Sequence, residues 1–316
     1  MFRRMLPRRK ASPDAGWVGV HAAVGRITAA LVHGGTDKQQ PPRIGACAMF
    51  EGPSAADDLI RWHQGHREAS RTASSVLLDP ADYQILTLDV PAVPRAERRD
   101  AVRWRLKDML DFPANEAALD CVDVPAVTAG DEPTKLLAVV SSQTTVARWM
   151  RRYHDSGLTL AAIDVPEMAL RNVALLAGGD SAHAFLHIGL EATHLILLWQ
   201  GELCTFRQLD INAPQLAAAG DEDKQPLLER LALEVQRTAD AFARQFNTAD
   251  LSGLWVSSLT GTDALVEALG PMVNLRIHAF HIERQVNLEG VAHATDLARR
   301  IDYTLAIGAA LRGPSS

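Results

Sequence analysis

The stretch GWVGVHAAVGRITAALVHGG, Gly16–Gly35, decides the fold. Two apolar runs flank a short break at Ala23–Gly25, and Gly34-Gly35 closes the second run, which is the grammar of a β-hairpin. Arg43–Phe50 (RIGACAMF) reads as a third strand. The same grammar recurs at His183–Leu190, Thr193–Trp199 and Glu202–Leu209, with Gln200-Gly201 as its second turn. Two β-β-β starts, each followed by helices and further strands, predict an α/β protein of two halves built on one plan. Reading VGVHAAVGRIT (Val18–Thr28) against FLHIGLEATHL (Phe185–Leu195) matches His21 with His187 and Ala23 with Gly189.

Working outward, Ala55–Glu68 reads as a helix with Leu59 and Trp62 on one face, and Tyr83–Val90 as a strand. Pro94 and Pro113 bound a basic helix over 95–112. Its Val102, Leu106, Met109 and Leu110 fall at i, i+4, i+7 and i+8, one packed face. Leu136–Ser141 is a buried-type strand. The helix after it turns Val146, Trp149, Met150 and Tyr153 inward and ends near Gly157. Asp164 and Glu167 have the spacing of a capping box. Further on, Leu228, Leu231, Val235, Ala239, Phe242 and Phe246 mark one face of a long helix. Strands at Gly253–Ser257 and Asn274–Ala279 bracket a helix at Asp263–Leu269, and a last helix ends at Leu311-Arg312.

With 316 residues and 47% hydrophobic content the chain can fill two cores, and a 22% charged fraction excludes a disordered one. The net charge of -6 argues against a nucleic-acid partner. Cys47, Cys121 and Cys204 make neither a disulfide framework nor a zinc pattern, which fits a reducing compartment. No apolar run reaches the roughly 18 residues that span a bilayer. The basic Met1–Lys10 segment lacks the apolar core of a signal peptide and reads as a solvated tail. A weak contact with anionic lipid headgroups is its alternative.

Motifs for common chemistries are absent. No Gly-x-Gly, no Gly-Lys-Ser/Thr and no Gly-x-Ser-x-Gly occurs. His63 and His66 stand at i, i+3 without the further ligands a metal needs, and read as two exposed helix histidines. His183 and His187 on one strand lie about 13 Å apart, too far to chelate together. The acid pairs Asp79/Asp82, Asp108/Asp111 and Asp120/Asp123 read as solvated turns and surface, and Glu234/Arg237 as a surface ion pair. The arginines of 95–112 read as a solvated face, with a docking edge for an acidic or hydrophobic peptide as the alternative.

The order of elements resembles the actin-like (ribonuclease H-like) fold of the type IV pilus assembly family PilM, and within it the MshI branch of mannose-sensitive haemagglutinin pilus biogenesis. The residues that carry the resemblance are AVRWRLKDMLDFPANEAALDCVDVP (Ala101–Pro125), LLAVVSSQTTV (Leu136–Val146) and GLTLAAIDVPEMALRNV (Gly157–Val173). LALEVQRTADAF (Leu231–Phe242) and LAIGAALR (Leu305–Arg312) complete them. The resemblance implies a first half over 12–178, interrupted by an inserted subdomain at about 83–163, and a second half over 182–313.

It also implies an ATP cleft, whose loops depart from the family pattern. The family's Asp-x-Gly is His21 and Ala23 in the first loop, with Thr28 where a Lys is expected. In the second loop it is His187 and Gly189, followed by Thr193. Two later Gly-Gly pairs become about Asn212-Ala213 and Ser257-Ser258. Imidazoles in place of carboxylates remove the hard oxygens that Mg²⁺ takes. Gly189 and Thr193 are then a remnant phosphate loop. The expectation is a protein without ATPase activity, cofactor or metal. It would be a cytoplasmic scaffold, peripheral at the inner membrane, in the pilus assembly platform. Its partner would be the N-terminal tail of a bitopic PilN- or MshJ-like protein, held between the first half and its insertion. The alternatives are an ATP-binding PilM-like ATPase, a GspL-like component of type II secretion, and a sugar-kinase-like enzyme.

Overall fold

The computed structural model describes residues 16–23, 25–34, 41–91, 93–94, 96–126, 134–247, 249–258, 261–288 and 303–312. The expectations for Met1–Lys10 lie outside the described residues. The chain divides into two compact units. One is Met1–His33, Gly45–Ala169 and Leu305–Ser316, and the other is Gly34–Ile44 and Leu170–Thr304.

In the first unit, β1 (Trp17–Ala23) and β2 (Arg26–His33) form the expected hairpin, with Trp17 opposite Val32 and Ala23 opposite Arg26. Gly25 makes the turn possible, since its φ of +73° suits a residue without Cβ. After β3 (Arg43–Glu51) and α1 (Ala55–Gly65) comes β4 (Ala73–Leu77), which pairs parallel with β1. Every residue of β4 is buried. Its polar side chains are partly accounted for, because Trp17 Nε1 donates to Ser75 Oγ at 2.6 Å.

The insertion follows. Strands β5 (Tyr83–Asp89), β6 (Ala117–Asp123) and β7 (Lys135–Ser142) form an antiparallel sheet in the order β5-β7-β6. Val102 of helix α2 (Arg98–Arg105) and Leu106 just after it join one cluster with this sheet, packed with Leu119, Leu136, Ala138 and Val140. Ala118 and Val139 instead join the core of Leu31, Leu59, Val76, Trp149 and Tyr153. The helix expected over 95–112 is shorter. It tightens into a 3-10 turn at Leu106–Asp108, which carries Met109 off the packed face and leaves it 50% exposed.

Helix α3 (Gln143–Ser156) starts where Ser142 Oγ accepts the Thr145 N–H, and stops at Gly157 in the left-handed region, φ +73°. Next, β8 (Thr159–Asp164) pairs parallel with β4 and completes a five-stranded sheet, β3-β2-β1-β4-β8. The inserted layer's own sheet therefore ends at Ser142, and β8 within 83–163 is the fifth strand of the main sheet. The last helix of this unit lies against β1, where a Cβ on Gly19 would come within 1.9 Å of the Ala306 carbonyl oxygen.

Helix α4 (Pro166–Gly178) runs from one unit into the other. The second unit repeats the plan with β9 (His183–Ile188), β10 (Thr193–Trp199), β11 (Glu202–Leu209), α5 (Ala213–Ala218) and α6 (Asp221–Gln245). It closes with β12 (Leu254–Ser258), α7 (Thr262–Leu269) and β13 (Ile277–Ala279). The sheet order is β11-β10-β9-β12-β13, with β9 antiparallel to β10 and parallel to β12. The two sheets thus share one connectivity. Helix α8 (Thr304–Ala310) is the helix that lies on β1, so the end of the chain, expected in the second half, belongs to the first unit.

Candidate functional site

The two hairpin turns are the places to look for the implied phosphate loops. Their registers agree: His21 stands opposite Thr28 and His187 opposite His194, seven residues apart in each case. The sequence overlay of His21 with His187 therefore describes the same position in both hairpins. The first hairpin continues pairing to Ala23 and Arg26, whereas the second stops at Ile188 and Thr193 and closes through 189–192.

The β9–β10 turn spends its donors within the protein. Thr193 is fully buried, and its hydroxyl donates to the Ile211 carbonyl at 2.7 Å. The Gly189 N–H donates to the Ala192 carbonyl at 3.0 Å, and the Gly189 carbonyl accepts the Ala213 N–H at 2.8 Å. The His187 ring lies under the turn, with Nε2 3.4 Å from where a Gly189 Cβ would stand. Asn212 is the N-cap of α5, in a capping box with Gln215. At the end of β12, the Thr262 hydroxyl donates to the Ser258 carbonyl at 3.1 Å, and Thr262 Oγ1 in turn accepts the Ser258 N–H at 3.2 Å. Gly189 and Thr193 thus bound one turn, against which 211–213 fold back through the Ile211 carbonyl and the Ala213 N–H.

The β1–β2 turn differs. Nothing lies within 4 Å of a Cβ built on Gly25. Its carbonyl accepts the Gly52 N–H at 3.0 Å. His21 is half-buried beside Leu77 of β4.

One feature of the second hairpin was not read from the sequence. His194 is buried beside His187 across the strand pair, and neither of its ring nitrogens has a hydrogen-bond partner. Burial lowers its pKa from 6.5 to about 4. The signal was available, because a hairpin register that pairs Ile188 with Thr193 also pairs His187 with His194. His183 is likewise buried, its ring nitrogens 2.7 Å from the Ser181 carbonyl and 3.1 Å from that of Ala174.

His63 corrects an expectation. It is not an exposed partner of His66: it is fully buried, with Nε2 2.9 Å from the Ala69 carbonyl and its ring edge-on to Tyr153. The helix of Leu59 and Trp62 buries His63 because it follows Leu59 by one turn. Among the described residues no group of three or more His, Cys, Asp or Glu converges as metal ligands would.

The inserted layer offers the other surface. Arg98 and Arg99, expected on a solvated face, reach Asp123 at 3.5 Å and Asp120 at 3.0 Å on β6. These acids are therefore engaged rather than solvated. Arg105 donates to the Asp89 carbonyl at 3.1 Å, which sets the end of α2 beside the end of β5. Next to it Trp104 is 79% exposed, the most exposed of the large apolar side chains among the described residues. Strand β5 is an edge of its sheet and carries no charge between Tyr83 and Leu88, and among the described residues no strand pairs with its outer side.

Among the described residues no helix is long and apolar enough to cross a membrane. No protein-family model matches the chain, and no curated protein matches its sequence. Solved structures do match. A chain of the "PilM-PilN type IV pilus biogenesis complex" is 20% identical with a TM-score of 0.71, over 98% of this chain and 100% of that one. The cytoplasmic domain of EpsL, an inner-membrane component of the type II secretion system of Vibrio cholerae, follows at 9% identity and TM-score 0.49. That match covers 89% of this chain and 92% of that one. A Bacteroides thetaiotaomicron protein described as having an actin-like ATPase fold scores 0.48 at 8% identity, covering 87% and 93%. The full-length likeness to the PilM-PilN chain, together with the repeated strand order, makes this an α/β protein of duplicated actin-like halves with an inserted subdomain.

Proposed function

We propose that the chain is a non-enzymatic scaffold of a type IV pilus assembly platform, of the MshI kind. It docks the N-terminal tail of a bitopic PilN- or MshJ-like protein and is held at the inner membrane through that partner. The observation that carries the non-enzymatic part is the β9–β10 turn. A bound phosphate needs free N–H and hydroxyl donors, and a Mg²⁺ ion needs carboxylate or water oxygens. The Thr193 hydroxyl and the Gly189 N–H already serve protein carbonyls, and an imidazole stands where a carboxylate would. The residues present do not fit Mg-ATP, and on this reading the protein hydrolyses none. The fold shared with a chain solved in complex as PilM-PilN supports the choice of partner. Edge strand β5, with Trp104 at the neighbouring end of α2, is a surface an extended peptide can use by strand addition.

A ligand that binds only the folded protein stabilises it by about 2.7 kcal/mol at a hundredfold excess over Kd. Millimolar Mg-ATP should therefore leave the melting midpoint unchanged. A rise that is lost in Gly189→Val would refute the claim that this turn does not fit Mg-ATP. A synthetic tail peptide should bind in solution by fluorescence anisotropy, and no binding at high micromolar peptide would refute the docking reading. One observation favours the alternative of an ATP-binding PilM-like ATPase, namely the unfilled space at a Gly25 Cβ. The same melting experiment decides between them.

A further inference from the structure

The spacing of Asp164 and Glu167 marks a capping pair, yet the structure uses both side chains to hold other parts of the first unit. Asp164 ends β8, and its carboxylate is almost fully buried. It accepts the Val165 N–H at 3.0 Å and pairs with Arg312, just beyond α8. Its carbonyl accepts the Leu78 N–H at 2.9 Å, which ties it to the end of β4. Glu167, three residues on and equally buried, accepts the Tyr83 hydroxyl at 2.7 Å. Tyr83 is the first residue of β5. The segment around it is pinned as well, since Ser141 Oγ donates to the Asp82 carbonyl at 2.7 Å and Arg148 pairs with Asp82 at 3.0 Å.

We propose that Asp164 and Glu167 form a two-sided latch at the start of α4, which couples the seating of the C-terminal helix α8 to the seating of the inserted layer. The coupling has a physical source. The two carboxylates lie three residues apart in one buried turn, so they repel in surroundings of low dielectric. Arg312 offsets the charge of Asp164. Without it, the less compensated charge of Asp164 makes a charged Glu167 costlier, and the charge-assisted bond from Tyr83 weakens with it. The reverse holds by linkage: an acceptor change at Glu167 returns to Asp164 and its hold on Arg312. Two segments far apart in sequence, 83–89 and 304–312, thereby share one anchoring point.

Hydrogen exchange on the full chain tests this. Tyr83→Phe keeps the ring and deletes only the hydroxyl. It should raise exchange several-fold in peptides covering 304–312 as well as in those covering 83–89. Arg312→Gln should raise exchange in 83–89 as well as at its own end, and the double variant should fall short of the full sum of the two single effects. Changes confined to each variant's own segment, or fully additive effects, overturn the latch. If Arg312→Gln does not fold, the effect of Tyr83→Phe at 304–312 decides alone.

Discussion

Lowering the pH from 7 to 5 should destabilise this protein through two buried histidines, one in each unit. Burial lowers His194 to about 4, and burial together with neighbouring His66 lowers His63 to about 4, against an ordinary 6.5. A group whose folded pKa is depressed in this way binds protons more readily when unfolded. Its full contribution is present above about pH 6.5, is lost as the pH falls, and is gone below about pH 4. For a shift of this size the loss between pH 7 and pH 5 is about 2 kcal/mol per histidine, and about 3 kcal/mol once both forms are fully protonated.

With a urea dependence of about 2 kcal/mol per molar, each histidine should move the midpoint of its transition by about 1 M. The assay is urea unfolding at pH 7 and pH 5, read by far-ultraviolet circular dichroism, for the natural chain and for His194→Leu. That substitution removes two polar atoms without partners and fills most of the volume. The variant should lose the share of the pH dependence that His194 carries, about 2 kcal/mol between pH 7 and pH 5. Equal midpoints at the two pH values would refute the reasoning. So would a His194→Leu variant as acid-sensitive as the parent.

Three further outcomes follow from the packing. Gly19→Ala places a methyl group within 1.9 Å of the Ala306 carbonyl and 2.4 Å of the Ala310 N–H, so helix α8 must shift. Calorimetry should show a loss of about 1–3 kcal/mol or more, and a neutral result would mean that α8 does not sit on β1 as described. Thr193→Val keeps the shape but leaves the Ile211 carbonyl without its 2.7 Å donor. Unfolding should report a cost of about 1–3 kcal/mol, and an unchanged midpoint would contradict the committed hydroxyl. Trp104→Ala removes a side chain that is 79% exposed, so stability should stay within about 0.5 kcal/mol. Tail-peptide affinity should fall at least tenfold if α2 flanks the docking edge, and unchanged affinity would remove α2 from that surface.

Much of the fold is legible because hairpins advertise themselves. Ala23–Gly25 and Gln200-Gly201 break apolar runs, and both β-β-β starts stand where the sequence puts them. Two strands of the first sheet do not announce themselves, the interior β4 and the edge strand β8. In β4 the residues Ala73–Leu77 read ASSVL, and in β8 Thr159–Asp164 read TLAAID. A parallel strand buried on both faces has no alternation to detect, and paired serines look like a loop until Trp17 is seen to use one of them. The helix expected over 95–112 runs too long because apolar spacing continues through Met109 and Leu110, whereas the backbone tightens at Leu106.

The candidate turns are legible in the hairpins, since register is set by the turn. What fills them is not. That the Thr193 hydroxyl serves Ile211, eighteen residues on, is a matter of how 209–213 fold back. The surface pairs divide in the same way. Glu234 and Arg237 meet at 3.1 Å as i, i+3 spacing requires. Arg98 and Arg99 find Asp123 and Asp120 only because α2 is folded onto the inserted sheet.

By itself, then, the sequence determined the duplicated β-β-β plan and the histidines at positions 21 and 187. Those follow from local turn chemistry and from residue identity. Only the tertiary structure decided that the β9–β10 turn is closed on its own donors and that His63 and His194 are sealed in cores. It alone showed that Asp164 and Glu167 hold Arg312 and Tyr83 rather than serving merely as a cap. The physical reason is that a buried polar group is defined by what folds against it, and for Thr193 and Asp164 those partners arrive from 18 and 148 residues away along the chain.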